Sequence, residues 1–365
     1  MIKVLRRALD ALAGDGDFSV TVPPMDGALN PDNRLEDATS VAQADAPDSL
    51  CQLGDRILYS SGADVFALEA GDGIPGATPF LTFPSAVTAL ATKGEALAVA
   101  LAQGCIRIVG GRHDGVELTD VGGRPLTCVT AAAFGDDDTI FFCIGSEKHP
   151  FDRWKHDLME RGATGSVWRA DLKSKAASPL ARGLAFPFGV LPLAKGALVT
   201  ESWRHRVIRL GVEGSPPEPI LVDLPAYPAR ITASVAGEGG WLALFAPRRQ
   251  LTEFILRETP YRMRMMEEID PEYWVGPTLA PMRSFLEPLQ GGTLKKLAAI
   301  KPWAPSRSYG LVVRLDEHWQ PRSSMHSRAD GSRHGVMSAI EAHGRLFAAS
   351  RGAKAVVAVD LQGDD

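Results

Sequence analysis

The feature that most constrains this chain is an internal period. Residues 49 to 71, "SLCQLGDRILYSSGADVFALEAG", read as a strand, a Gly-Asp turn, a second strand, a Gly turn and a third strand. Residues 87 to 111, "VTALATKGEALAVALAQGCIRIVGG", repeat the pattern in other letters. It returns as "TAAAFGDDDTIFFCIGS" with "GSVWRADL", as "FGVLPLAKGALVTESWRHRVIRLGV", as "RITASVAGEGGWLALFAP" with "YGLVVRLDE", and as "VMSAIEAHGRLFAASRGAKAVVAVDL", which makes six units. Self-similarity at a regular spacing marks architectures in which each unit buries its apolar faces only against its neighbours.

In each unit a first strand rich in small residues is followed by two strands with period-2 apolar alternation. Between units lie further short strand candidates, "TPFLTF", "GVELTDV", "ASPLARGL", "EPILVDL" and "PRSSMHSR". The pattern predicts an all-β fold: a six-bladed β-propeller with four-stranded blades, the small-residue strands packed round the channel. The last unit lacks a fourth strand, and "RLEDATSVA" (34 to 42) precedes the first with nothing to pair. The N-terminal segment is expected to close the last blade and so leave no open sheet edge.

Two helical insertions interrupt the rhythm: residues 147 to 164 in blade three and 246 to 308 in blade five. Long insertions on a rigid ring read either as lids and binding loops or as solvated decoration. In the second, Arg248, Arg249, Arg257, Arg262 and Arg264 beside Tyr261 are compatible with a membrane contact. The alternative is a solvated helix face with Met263, Met265 or Met266 turned to the propeller. Residues 1 to 32 read as an N-terminal helix and linker, and 33 to 365 as a single propeller.

Thirty-six glycines, 26 prolines and 7% aromatic residues agree with a chain made of turns and strands. A net charge of -5 argues against a nucleic-acid partner. "MIKVLRRALDALAGDG" has a broken apolar run and does not read as a signal peptide. No stretch reaches the roughly 18 apolar residues of a membrane span. Cys51, Cys105, Cys128 and Cys143 are widely spaced and strand-flanked, which reads as reduced buried thiols and a cytoplasmic protein. "GDGIPG" (71 to 76) is followed by a strand candidate and not a helix, so it reads as a hairpin loop, and Asp136-Asp137-Asp138 as a solvated turn.

"HPFDRWKHDLMERGATGSVWRADL", "GLAFPFGVLPLAKGALVTESWRHRVIRL", "LPAYPARITASVAGEGGWLAL" and "YGLVVRLDEHWQPRSSMHSRADGSRHGVMSAIEAHGRLFAAS" together resemble the strictosidine-synthase-like proteins. These sit within the paraoxonase, gluconolactonase and senescence-marker group of six-bladed propellers. The resemblance implies the fold, and activities that range from lactone and phosphotriester hydrolysis to amine-aldehyde condensation. Hydrolases of the group hold a Ca²⁺ at the channel with a carboxylate and amide oxygens. At the matching positions this chain has Asp48, Thr130, Phe188 and Arg230, and its two asparagines, Asn30 and Asn33, both precede the first blade. The expectation is therefore no metal and no cofactor. The condensing enzyme's Glu is matched by Met337, whose thioether exchanges no protons, with Glu341 the nearest acid.

The mouth is thus expected to be lined by Asp48, Thr130, Phe188, Arg230, His334 and Met337. In one reading the protein is a metal-independent hydrolase of an ester, lactone or amide, with Arg230 holding an anionic group and His334 or Asp48 moving the proton. Arg230 is equally open to pairing with Asp48 across the ring. The alternative is a non-catalytic propeller that binds a small molecule. In "ESWRHR" Glu201 is expected to be structural, a buried acid meeting Arg206 or Arg209 across the hairpin.

Overall fold

A computed structural model describes residues 21–68, 76–211, 215–290 and 300–361. The helix expected before residue 17 and most of the "GDGIPG" loop lie outside them. Strand β1 (Thr39–Gln43) precedes blade one, which is β2 (Pro47–Leu53), β3 (Arg56–Ser61), β4 (Asp64–Leu68) and β5 (Ala77–Thr82). Blade two is β6 (Val87–Lys93), β7 (Ala96–Leu101), β8 (Cys105–Val109) and the short β9 (Glu117–Leu118), followed by a small hairpin of β10 (Asp120–Val121) and β11 (Arg124–Pro125). Blade three is β12 (Val129–Phe134), β13 (Thr139–Ile144), β14 (Gly165–Asp171) and β15 (Ala177–Leu184). Blade four is β16 (Pro187–Pro192), β17 (Ala197–Glu201), β18 (Arg206–Leu210) and β19 (Glu218–Leu221). Blade five is β20 (Ala226–Ala233), β21 (Gly240–Pro247), β22 (Gly310–Leu315) and β23 (Pro321–Ser327). Blade six is β24 (Val336–Ala342), β25 (Arg345–Ser350) and β26 (Ala355–Asp360).

The six first strands, β2, β6, β12, β16, β20 and β24, stand side by side round the axis. Each blade is an antiparallel meander. Blade six is completed by β1 on the outer edge of β26, with Thr39 opposite Ala358 and Gln43 opposite Ala355. The expected six-bladed ring, closed by the early segment, is the fold observed. Glu36 fastens that segment further along, accepting hydrogen bonds from Ser327 Oγ, Ser332 N and Oγ, and Arg333 N.

Blades pack face to face, so strands buried on both sides are apolar throughout. Between blades two and three, Ala98, Ala100 and Ile106 meet Val129, Phe142 and Trp168. Small residues on one side accept large ones on the other, and each fully buried large side chain contributes roughly 1.5–3 kcal/mol. All four cysteines are buried and free.

Both insertions leave from the end of a second strand, at the same end of the ring. The first carries helix α1 (Trp154–Met159), with Asp157, Leu158 and Met159 buried. The second carries α2 (Gln250–Arg257) and α3 (Thr259–Glu268). Thr252, Glu253, Ile255 and Leu256 bury one face of α2, and Arg262 and Met265 bury the inner side of α3. Met263 is half exposed, and Arg248, Arg249 and Arg262 are buried, so these arginines form no solvent-facing basic surface. Among the described residues no helix is long and apolar enough to cross a membrane.

Helix α2 is seated through Glu253, which is fully buried. Its Oε1 accepts from Tyr227 Oη at 3.2 Å and lies 3.5 Å from Arg248 Nε and 3.7 Å from His205 Nε2. Burial pushes its pKa up to about 7, and the attraction of Arg248 only partly opposes this. The unfolded carboxyl ionises near its usual 4.5, so the fold holds the extra proton between that value and about 7. Stability is therefore lost as pH rises across this window, by roughly 3 kcal/mol on linkage. Urea titrations from pH 4.5 to 8 should show that slope in the native protein and a flatter profile in Glu253→Gln; equal slopes would remove Glu253 as its source.

Candidate functional site

Each first strand skips a residue or two of its ladder near its start, β20 shifting once more just before, and the six skips sit at the same level. The ladder skips at Asp48 and Ser49 in β2, Thr88 in β6, Thr130 in β12, Phe188 in β16, Ala229 and Arg230 in β20, and Met337 in β24. A bulge leaves backbone groups out of the ladder and re-aims a side chain. Here the freed carbonyls meet one guanidinium. Arg230 Nη2 donates to the carbonyls of Thr88 at 2.6 Å and Thr130 at 2.9 Å. Its Nη1 donates to Met337 O at 3.2 Å and Asp48 O at 3.5 Å, and lies 2.6 Å from Asp48 Oδ1. The guanidinium carbon stands 5.2 Å from the centre of the Phe188 ring. Every blade thus contributes one residue to this hub.

The approach requires glycine next door. A Cβ on Gly189 would lie 2.7 Å from Ala229 O and 2.9 Å from Arg230 Cα. The absent side chain lets β16 come close to the bulge that carries Arg230. Asp48 is buried and shared, its second oxygen bonding Arg351 Nη2. Burial works against its charge, but Arg230 and then Arg351 outweigh it and hold the carboxyl below its ordinary range.

The hub separates two cavities along the axis. On the mouth side lies one of about 470 Å³, bounded by Thr88, Met337 and Arg351 near the hub and by aromatic rings above. On the opposite side lies a wider opening of about 610 Å³, which Arg230 and Glu341 line. Glu341, the acid nearest Met337 in sequence, therefore faces away from the mouth, and it accepts Trp241 Nε1 at 2.8 Å.

The mouth cavity owes its walls to both insertions. Phe151 and Trp154 come from the blade-three insertion and Leu279 from the blade-five insertion. They join Phe186, Phe188, Trp203 and Phe245 from the ring. Phe186 stacks on Trp203 at 4.5 Å, and Phe151 meets Phe188 edge-on at 5.8 Å. Phe186 has φ of 55°, a left-handed conformation that bulky side chains seldom adopt. Ser202 N, bonded to its carbonyl at 3.1 Å, and Trp203 N, bonded to Ala185 O at 3.2 Å, hold it there.

Asp157 ties the blade-three insertion to this wall. Its Oδ1 accepts Trp203 Nε1 at 2.7 Å and its Oδ2 accepts Ser146 Oγ at 2.5 Å. Burial raises its pKa against those two hydrogen bonds. Glu201 meets Arg206 at 2.6 Å and also Arg204 and Ala185 N, whereas Arg209 pairs with Glu218. The "ESWRHR" corner is thus structural at Glu201, while its Trp203 belongs to the cavity wall.

The residues expected at the mouth separate into three groups. Phe188 and Met337 line the cavity. Asp48, Thr130 and Arg230 form the hub, Thr130 also donating from Oγ1 to Pro187 O at 2.6 Å. His334 lies apart, fully buried, its Nδ1 2.8 Å from Ser308 Oγ and its Nε2 2.8 Å from Arg328 O. Burial holds its pKa below the ordinary histidine value. The residues do not fit the calcium ion that the resemblance implies, because a guanidinium already occupies the point where the carbonyls and carboxylate converge.

Sequence reading missed Thr88, Arg351 and five of the aromatic wall residues. A register signal existed. In blades one, two and four the position just before the first strand faces the mouth, Ala46, Ala86 and Phe186, and in blades one, two, four and six a position just after the second does, Gly62, Ala102, Trp203 and Arg351.

No family model matches the chain. Strictosidine synthase-like protein 13 of Arabidopsis thaliana is 29% identical over 150 residues, covering 39% of this chain and 36% of that protein. Strictosidine synthase-like protein 10 of the same plant is 26% identical over 151 residues, 40% of each. These matches span about two-fifths of the relatives' own length. Among solved structures, a luciferin-regenerating enzyme superposes over 90% of this chain and 94% of its own with a TM-score of 0.53 and 11% identity. A chain of a nidogen/laminin complex does so over 84% and 89%, with a TM-score of 0.50 and 11% identity. The chain is thus a six-bladed propeller similar to strictosidine-synthase-like proteins, and the solved structures support the fold alone.

Removing the central guanidinium should be costly, because it leaves four carbonyls without their donor and the buried Asp48 carboxylate with Arg351 alone. Arg230→Met is expected to lower stability by about 3–5 kcal/mol, read in urea melts. Asp48→Asn should also destabilise, and the two together by less than the sum. Ca²⁺ and EDTA should leave the native melting temperature unmoved; a large calcium-dependent shift would mean that the hub does admit a metal.

Proposed function

We propose that this propeller, similar to the strictosidine-synthase-like proteins, binds a small, largely apolar, ring-bearing molecule in its mouth cavity without chemically changing it. The observation that carries this reading is a cavity of about 470 Å³ walled by Phe151, Trp154, Phe186, Phe188, Trp203 and Phe245. A pocket of this size, mostly apolar with a few polar groups at one end, suits a drug-sized ligand. Edge and face contacts with the rings would hold an aromatic ligand beyond simple area burial.

Hydrolysis of an ester, lactone or amide is the competing reading, and it needs a free base and a free oxyanion donor. Arg230 spends its terminal nitrogens on Asp48 and backbone carbonyls. Asp48 is a poor base between two guanidinium groups. Both ring nitrogens of His334 are engaged by the protein, and Met337 carries no exchangeable proton. Binding asks for none of these groups to be free.

Ala102 is small, exposed and on the cavity rim, so Ala102→Trp should obstruct the mouth without disturbing the core. Neutral naphthalene or indole probes should quench tryptophan fluorescence in the native protein. In Ala102→Trp their affinity should fall at least tenfold, with the melting temperature unchanged. A panel of lactones, aryl esters and amine-aldehyde pairs should show no turnover above background. Turnover that Ala102→Trp abolishes would overturn the binding reading in favour of an enzyme.

A further inference from the structure

The floor of the mouth cavity holds polar groups that the protein leaves without partners. Thr88 and Arg351 both line it, and Thr88 Oγ1 and Arg351 Nε are buried atoms that make no hydrogen bond within the protein. A buried hydroxyl or guanidinium N–H with nothing to bond costs about 1–3 kcal/mol, more for the charged group. Arg351 Nε can only donate and the Thr88 hydroxyl can donate as well as accept, so the one kind of partner that both would take is an acceptor.

The two residues are joined through the hub. Arg351 bonds Asp48, Asp48 bonds Arg230, and Arg230 bonds the carbonyl of Thr88. Charge agrees with donor chemistry. One carboxylate lies between two guanidinium groups, so this end of the cavity carries one uncompensated positive charge. The acidic wall residue, Asp152, is exposed at the rim.

We infer that Thr88 Oγ1 and Arg351 Nε form the seat of a ligand carboxylate, and that the ligand is a monocarboxylic acid with an aromatic body. This rests on the proposed binding cavity and names its ligand class. A carboxylate offers two acceptor oxygens and one negative charge, which matches two donors and one net positive charge. A phosphate dianion brings one charge too many, and an ammonium group would meet the Arg351 N–H and a positive floor, although the Thr88 hydroxyl could accept from it. The aromatic body would lie between Trp203, Phe188 and Phe245 above.

The test compares 2-naphthoic acid, 2-naphthamide and 2-naphthylmethylamine by calorimetry on the full chain. The acid should bind at least tenfold more tightly than the amide, and the amine more weakly than either. Thr88→Val keeps the shape and the carbonyl that holds Arg230; it should weaken the acid about fivefold or more and leave the amide within twofold. Arg351→Gln should do the same more strongly. Equal affinities for acid and amide, a preference for the amine, or an acid affinity unchanged in Thr88→Val would overturn the carboxylate seat while leaving the cavity reading intact. Failure of all three probes to bind would instead overturn the cavity reading itself.

Discussion

One guanidinium sets the geometry of the whole ring. A propeller brings the first strand of every blade to a common axis, where backbone groups that leave their ladders must find partners away from bulk water. In this chain six bulges fall at one level, and the carbonyls of Asp48, Thr88, Thr130 and Met337 converge on Arg230. A planar cation with donors in several directions satisfies them together, which a lysine ammonium on a flexible stem would do less well. The carboxylate of Asp48 balances its charge, so the hub is a structural ion pair carried by the chain itself. Its energetic character follows: an ion pair of this burial is not a large net gain, but removing either partner leaves the other buried with its charge only partly met.

From that hub the shape of the site follows. The guanidinium closes the channel, so the mouth side becomes a dead-ended cavity rather than a tunnel. Its depth is fixed by the level of the bulges, and its walls by what each blade places just beyond its strand ends. Blades one and two put small residues there, Ala46, Gly62, Ala86 and Ala102, while blade four puts Phe186 and Trp203. The cavity is therefore lopsided, open over blades one and two and aromatic over blades three to five. Asp157 and Glu253 extend this by fastening the two insertions to the ring, each as a buried acid met by side-chain donors.

The fold was legible because its signal is redundant. Six similar units, turn residues at matching offsets and one unpaired early segment all agree, so no single position carries the conclusion. The site was legible only in part. Asp48, Thr88, Thr130, Phe188, Arg230 and Met337 share a level, and five of the six can be found by counting from strand starts. A bulge leaves no mark in apolar alternation, so the convergence of carbonyls on Arg230 cannot be read from pattern. His334 shows the opposite failure. It sits in a loop beside the sixth blade, yet Ser308 and the Arg328 carbonyl, which come from the blade-five insertion's end and the link after β23, claim its ring. Those contacts are long-range and have no local signature. Trp203 was hidden for another reason: it lies among charges whose pairing at Glu201 was correctly legible, and the corner's structural role masked the one side chain that turns to the cavity.

The hub also bears on what kind of chemistry this mouth can host. A catalytic acid or base must change protonation during turnover, and a group that holds architecture together cannot do so freely. Asp48 illustrates the conflict: protonating it would weaken its pairing with both Arg230 and Arg351 and loosen the point where six blades meet. Its depressed pKa is the thermodynamic expression of that constraint. Residues committed to the hub are therefore poor candidates for proton transfer, whereas groups one layer above it, such as the Thr88 hydroxyl and the Arg351 Nε, are free to act on a ligand because the ring does not depend on their hydrogen bonds. On the binding reading proposed above, a site divided in this way, with a rigid charged floor and uncommitted polar groups facing an aromatic cavity, would select by shape and charge rather than by moving protons.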